Sequence, residues 1–215
     1  MKDIIEIRKK QNDIYERLKK QSGSVSEFAT IQGNAIALLL DVSGSMFGDK
    51  LDDAKESLIN FIDNINLNEY EIGLIAFGGR IQSSKLSNDH LYLKRWINSY
   101  MADGATPLME AIQTAHNKIK NKSNSIMIIA TDGQPTDANE GQILEYANKI
   151  KISGIRIIVI GIGDDVNKDF LKELASSLED YHFAKESFKL KQIYQEVAND
   201  ILALPPGPNN SMIKK

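Results

Sequence analysis

Cysteine is absent from this chain of 215 residues. That excludes disulfides, zinc ribbons, iron–sulfur clusters and thiol catalysis. Long apolar runs are missing too. The longest, Ala35 to Leu40, is far short of the roughly 20 residues that a membrane-spanning helix needs, so no membrane association is expected. The chain has no excess of positive charge: 26 Lys and Arg stand against 29 Asp and Glu, for a net −3. A dedicated nucleic-acid binder would usually carry a basic footprint, so nucleic acid is not an expected partner. No Gly-x-x-x-x-Gly-Lys loop occurs, and no Gly-x-Ser-x-Gly elbow, so neither ATP binding nor serine-hydrolase chemistry is indicated. The first twenty residues alternate charge with Ile and lack a continuous apolar core of the secretory type. A cytoplasmic location is the expectation.

What remains is an ordinary globular composition, 42% hydrophobic and 26% charged. The length suits one large α/β domain able to bury its apolar surface without staples. Residues 1–22 read as a separate N-terminal amphipathic helix, with Ile4, Ile7, Ile14 and Leu18 on one stripe. It holds seven Lys/Arg and four Asp/Glu, so it is +3 and the rest of the chain −6. Residues 34–203 read as the domain, and 204–215, rich in Pro and Asn, as a flexible tail.

Within 34–203 strands and helices alternate. Ala35–Leu40 is apolar throughout, as befits a central parallel strand covered on both faces. Glu71–Phe77, Ser125–Thr131, Ile155–Ile160 and Tyr181–Ala184 read as further strands. Gly78-Gly79 predicts a hairpin that returns Arg80–Ser84 antiparallel at an edge. Apolar residues at helical spacing mark helices around Leu51–Ile65, Leu93–Met101, Leu108–Ile119, Ile143–Ile150, Phe170–Leu178 and Leu190–Ile201. The pattern predicts a doubly wound, Rossmann-like α/β fold. Its sheet would have six mostly parallel strands, one antiparallel edge strand and helices on both faces.

In such a sheet ligands sit beyond the carboxyl ends of the strands, where the strand order reverses. The first strand ends in Asp41-Val42-Ser43-Gly44-Ser45, and the strand at 125–131 ends in Thr131-Asp132-Gly133. With the order 3-2-1-4-5-6 these two ends are neighbours, and the loop Gly104-Ala105-Thr106-Pro107 reaches the same crevice. Asp41, Ser43, Ser45, Thr106 and Asp132 thus form a candidate site made of oxygen donors alone. Such a set selects a hard cation, Mg²⁺ or else Mn²⁺, over zinc. Neutral hydroxyls among the ligands would leave the ion able to accept an anionic oxygen from outside, such as a partner protein's Asp or Glu carboxylate. Capping of the following helix would account for the first loop alone, but not for Thr106 and Asp132. Met46 and Phe47 follow the serines and read either as core or as contacts beside the metal.

At these residues the chain resembles the von Willebrand factor A family, whose metal-ion-dependent adhesion site (MIDAS) reads Asp-x-Ser-x-Ser, a loop Thr and a later Asp. The resemblance covers about 34–203 and all three motif parts occur in order. It implies direct coordination by Ser43 and Ser45, and by Thr106 in the ligand-competent state, with Asp41 and Asp132 acting largely through water. In adhesion relatives the loop Thr is coupled to sliding of the C-terminal helix, here about 187–203. Asp132-Gly133-Gln134-Pro135-Thr136-Asp137 looks more like intracellular bacterial members, of the tellurium-resistance or MoxR-associated type. The implied role is a non-catalytic adaptor in a stress, defence or AAA+ ATPase-linked system, with an AAA+ ATPase, a kinase or a phosphatase as partner. One departure is Gly104-Ala105 where Gly-Gly is common.

The alternative is a haloacid-dehalogenase-like, Mg²⁺-dependent phosphatase with Asp41 as nucleophile. Gly161-Ile162-Gly163-Asp164-Asp165 looks superficially like its late acidic loop. That chemistry needs a general acid two residues after the nucleophile, and the Ser43 hydroxyl cannot supply one. His90 and His116 fall in predicted helices and His182 in a strand, where solvated or packed roles are expected.

Overall fold

The computed structural model describes residues 33–203. The N-terminal segment 1–22 and the tail 204–215 lie outside the described residues. One six-stranded sheet organises the chain. In chain order its strands are β1 (Asn34–Asp41), β2 (Tyr70–Phe77), β3 (Ile81–Ser83), β4 (Ser125–Thr131), β5 (Arg156–Ile162) and β6 (Tyr181–Ala184). Their spatial order is β3-β2-β1-β4-β5-β6. All neighbours are parallel except β2 and β3, so the doubly wound sheet and its antiparallel edge stand as expected.

The described helices are α1 (Asp49–Asn64), α2 (His90–Asn98), α3 (Leu108–Ile119), α4 (Glu140–Ile152), α5 (Lys168–Leu174) and α6 (Leu190–Ala203). Strand side chains alternate between the two faces, and the alternation sorts the core into two layers. Ile36, Leu38 and Leu40 of β1 pack with α1, α2 and α6. Ala35, Ala37 and Leu39 pack with α3, α4 and α5. Burial on both faces is why β1 and β4 read as unbroken apolar runs. Local caps set the helix starts. Asp89 accepts from the Leu91 and Tyr92 amides, and Asn139 with Gln142 forms a capping box on α4.

Two helices stop earlier than their apolar spacing predicts. The one expected to reach Met101 ends at Asn98. Tyr100 is buried and Met101 exposed, because the chain turns there to bring the Asp103 amide to the Val42 carbonyl at 2.8 Å. The one expected to reach Leu178 ends at Leu174. Ser176 is drawn onto the β5 backbone instead: its amide donates to the Ile157 carbonyl and its hydroxyl accepts from the Ile157 amide. Backbone bonds to the strands outweigh helical propensity at both places.

Ion pairs anchor the C-terminal helix. Arg156 pairs with buried Asp180 and with Asp200 on α6, each at 2.6 Å, and Lys191 pairs with Glu56 on α1.

Candidate metal centre

Sheet register creates the site. Leu40 lies opposite Ala130 across β1 and β4, so Asp41 and Thr131 emerge side by side at the carboxyl end. This is the point where the chain leaves β1 for β2 on one side and β4 lies on the other. The Thr131 hydroxyl donates to Asp41 Oδ2 at 2.5 Å, and the Ser43 amide donates to Asp41 Oδ1 at 2.9 Å. After Ser43 the chain winds into a single 3₁₀ turn over Gly44–Met46. The turn puts both hydroxyls on one side, with Ser43 Oγ and Ser45 Oγ 3.0 Å apart. Ser45 Oγ donates to Asp132 Oδ1 at 2.6 Å.

Helix capping does not occupy these groups. Ser43 makes no side-chain cap bond, and the residue capping α1 is Gly48. Met46 goes into the core, whereas Phe47 stands 81% exposed at the rim, which separates the two residues that the sequence leaves together.

Thr106 arrives on a loop held by backbone contacts. The Gly44 amide donates to the Gly104 carbonyl at 3.0 Å, and the Gly79 amide to the Asp103 carbonyl at 2.6 Å. Gly104 has φ 72°, and a Cβ there would lie 2.2 Å from Gly79 Cα. Gly78-Gly79 therefore does more than close the hairpin to β3: it admits the Thr106 loop. From the other side, Thr136 exchanges bonds with the Thr106 backbone, and Asp137 accepts from the Met109 and Glu110 amides. The Thr106 hydroxyl faces Gly133. A Cβ built on Gly133 would lie 3.1 Å from Thr106 Oγ1 and 3.8 Å from Asp41 Oδ2. All five candidate residues thus meet around one crevice, with Asp41, Ser43, Thr106 and Asp132 buried and Ser45 exposed.

Electrostatics distinguish this crevice from a structural turn. Burial pushes the Asp41 carboxyl up to about 6, against opposing hydrogen bonds from Ser43 and Thr131, and the nearby Asp132 charge adds a smaller push upward. Two buried carboxylates lie close together, and among the described residues no further His, Cys, Asp or Glu joins them to make a group of three. The donor set fits a hard divalent cation: three hydroxyls, and two carboxylates whose joint charge balances the ion's.

Four neighbours escape sequence reasoning. Thr131 and the Thr136-Asp137 pair act through the register and loop contacts just described. Lys50, in the first turn of α1, places Nζ 2.7 Å from Asp132 Oδ2. A cation near a helix N-terminus opposes the helix dipole, and that misplacement is the signal that could have drawn attention to it.

The model of the von Willebrand factor type A domain matches residues 35–196. The chain belongs to the von Willebrand factor A family. Human inter-alpha-trypsin inhibitor heavy chain H3 is 27% identical to this von Willebrand A chain in a 194-residue alignment that covers 78% of this chain but only 21% of that protein. Among solved structures, proximal thread matrix protein 1 from the mussel byssus, in a form with a zinc-occupied MIDAS motif, is similar. Its TM-score is 0.69 at 19% identity, covering 80% of this chain and 46% of that one. The pilus adhesin SpaC from Lactobacillus rhamnosus GG, in its open conformation, gives a TM-score of 0.70 at 17% identity, covering 81% of this chain and 30% of that one. These likenesses show the von Willebrand A fold, a family of protein-interaction and adhesion modules. They give the phosphatase alternative no support.

Proposed function

We propose that this von Willebrand A domain is a non-catalytic module that binds a protein partner through a divalent cation, Mg²⁺ or else Mn²⁺. Ser43, Ser45 and Thr106 would hold the ion, and Asp41 and Asp132 would balance its charge. The observation that carries this reading is the convergence of two carboxylates and three hydroxyls from three loops at the switch point, with Asp41 pushed up to about 6 by burial. A bound divalent cation would supply a positive charge able to accept a carboxylate oxygen of the partner. The chain's own residues do the rest. Thr131 and the Ser43 amide orient Asp41, the glycine-lined loop fixes Thr106, and exposed Phe47 and Met101 supply apolar surface on the loops that carry Ser45 and Thr106.

In this reading the partner supplies an Asp or Glu and belongs to an AAA+ ATPase, kinase or phosphatase system of bacterial stress or defence type. The protein acts in the cytoplasm as an adaptor. Resemblance of the 132–137 segment to intracellular bacterial members supports this finer assignment.

Thermal unfolding of metal-stripped protein tests the core of the reading. A ligand that binds only the native state at about 100 times its Kd adds roughly 2.7 kcal/mol. Wild type should respond to Mg²⁺ by that amount, Ser45→Ala and Thr106→Ala should respond less, and capture of the co-purifying partner should be lost in EDTA. A melting curve unchanged across Mg²⁺ and Mn²⁺ titrations would refute it.

A further inference from the structure

The Asp132 carboxylate already has a cation. Its side chain is only 1% exposed and receives the Lys50 ammonium at 2.7 Å on Oδ2, while Oδ1 accepts from Ser45. Lys50 is a residue of α1, whose N-terminal dipole disfavours positive charge, and its side chain is 39% exposed. It reaches across from α1 to the end of β4 and passes the β5–α5 turn: a Cβ on Gly163 would sit 3.9 Å from Nζ. A solvated ammonium gains little from an ordinary surface pair. Here it meets a nearly inaccessible carboxylate beside a second one, at the crevice where the metal would be held.

We infer that Lys50 is a tethered counter-ion of the metal centre, competing with the divalent cation for Asp132 and setting how tightly the site holds it. This rests on the metal-binding reading proposed above. In the metal-free protein the lysine compensates one of the two negative charges, so the site does not have to repel itself open. Metal entry then requires Asp132 to exchange its ammonium partner for the ion, and the two positive charges oppose each other until the lysine turns to solvent. Even at the dielectric constant of water, a unit charge a few ångströms from a doubly charged ion is worth on the order of a factor of ten in affinity. Lys50 thereby makes the site weaker and more readily emptied than its donor set alone would dictate.

The test is calorimetric titration of the metal-stripped full chain with Mg²⁺ and Mn²⁺, for wild type, Lys50→Met and Lys50→Arg. Each protein is also melted without metal. Lys50→Met keeps the apolar stem and removes the charge. It should bind metal about tenfold more tightly or better, and should melt lower than wild type when metal-free. Lys50→Arg keeps the charge and should stay near wild type in affinity. Equal affinity of wild type and Lys50→Met would overturn this inference while leaving the metal site intact. Weaker binding by Lys50→Met would overturn it too, by making the lysine a support for Asp132. Failure of all three proteins to bind either ion would remove the metal-site reading and this inference with it.

Discussion

Replacing Asp41 with Asn separates the electrostatic cost of the centre from its architecture. Asp41 is fully buried and its carboxyl is pushed from 3.8 up to about 6, chiefly by burial. A raised carboxyl value means that the folded state prefers the protonated form. The contribution of this group to stability is then fully present below pH 3.8 and lost as the pH rises through about 6. A shift of roughly two units at ~1.4 kcal/mol each makes the loss about 3 kcal/mol. Asn preserves shape and bonding: its Oδ1 accepts from the Ser43 amide, and its Nδ2 donates to Thr131 Oγ1. The Thr131 hydroxyl proton can then turn to the Gly133 carbonyl, 3.4 Å away. Metal-free Asp41→Asn should therefore be more stable than metal-free wild type at pH 7.5 by up to about 3 kcal/mol, a Tm rise of roughly 6–12 °C. Near pH 4 the two should coincide. Added Mg²⁺ at about 100 times Kd should nearly close the gap at pH 7.5, since it adds roughly 2.7 kcal/mol to wild type alone. Scanning fluorimetry of EDTA-treated, dialysed protein at both pH values measures all of this. An Asn variant no more stable at pH 7.5, or equally stabilised at both pH values, would refute the reasoning.

Gly104→Ala places a methyl where φ is 72° and Gly79 Cα is 2.2 Å away, which should cost roughly 3 kcal/mol and blunt the Mg²⁺ response. A Tm within about 2 °C of wild type would contradict it. Arg156→Met leaves Asp180, 1% exposed, without its cation, and urea unfolding should show a loss of about 3–5 kcal/mol. Lys191→Ala breaks a pair exposed on both sides and should cost under about 1 kcal/mol in the same assay. If the two losses were equal, burial would not be what gives the Arg156 cluster its weight.

Much of the fold was legible because the strands buried on both faces cannot be anything but apolar: Ala35–Leu40 and Ser125–Thr131 announce β1 and β4 directly. The candidate site followed from the strand order, since Asp41, Ser43, Ser45 and Asp132 lie at strand ends whose adjacency the topology dictates. What the sequence hid depends on contacts across space. Helical spacing ran on through Tyr100 and Leu178, because nothing local records that Asp103 and Ser176 bond to distant strands. Gly78 and Gly79 looked like a hairpin turn, and their second task appears only when Gly104 packs against them. The Lys50 pair spans 82 positions, and no periodicity within a helix encodes a contact of that range.

The seam around Gly79 and Gly104 has a consequence for engineering. The loop carrying Thr106 is held largely by main-chain groups: Gly44 to Gly104, Gly79 to Asp103, Asp103 to Val42, and Val42 to Phe77. None of those bonds uses the side chains of Ser45 or Thr106, so the loop's position does not depend on their identity. Elements that hold their shape without the ligating groups are the preferred footing for a coordination site. Imidazole or carboxylate donors exchanged for the hydroxyls at 45 and 106 would thus be presented on an unchanged frame, shifting the ion preference toward borderline or harder metals as the donors change. The seam turns this corner of the domain into a socket, with backbone that fixes the geometry and side chains that can be rewritten.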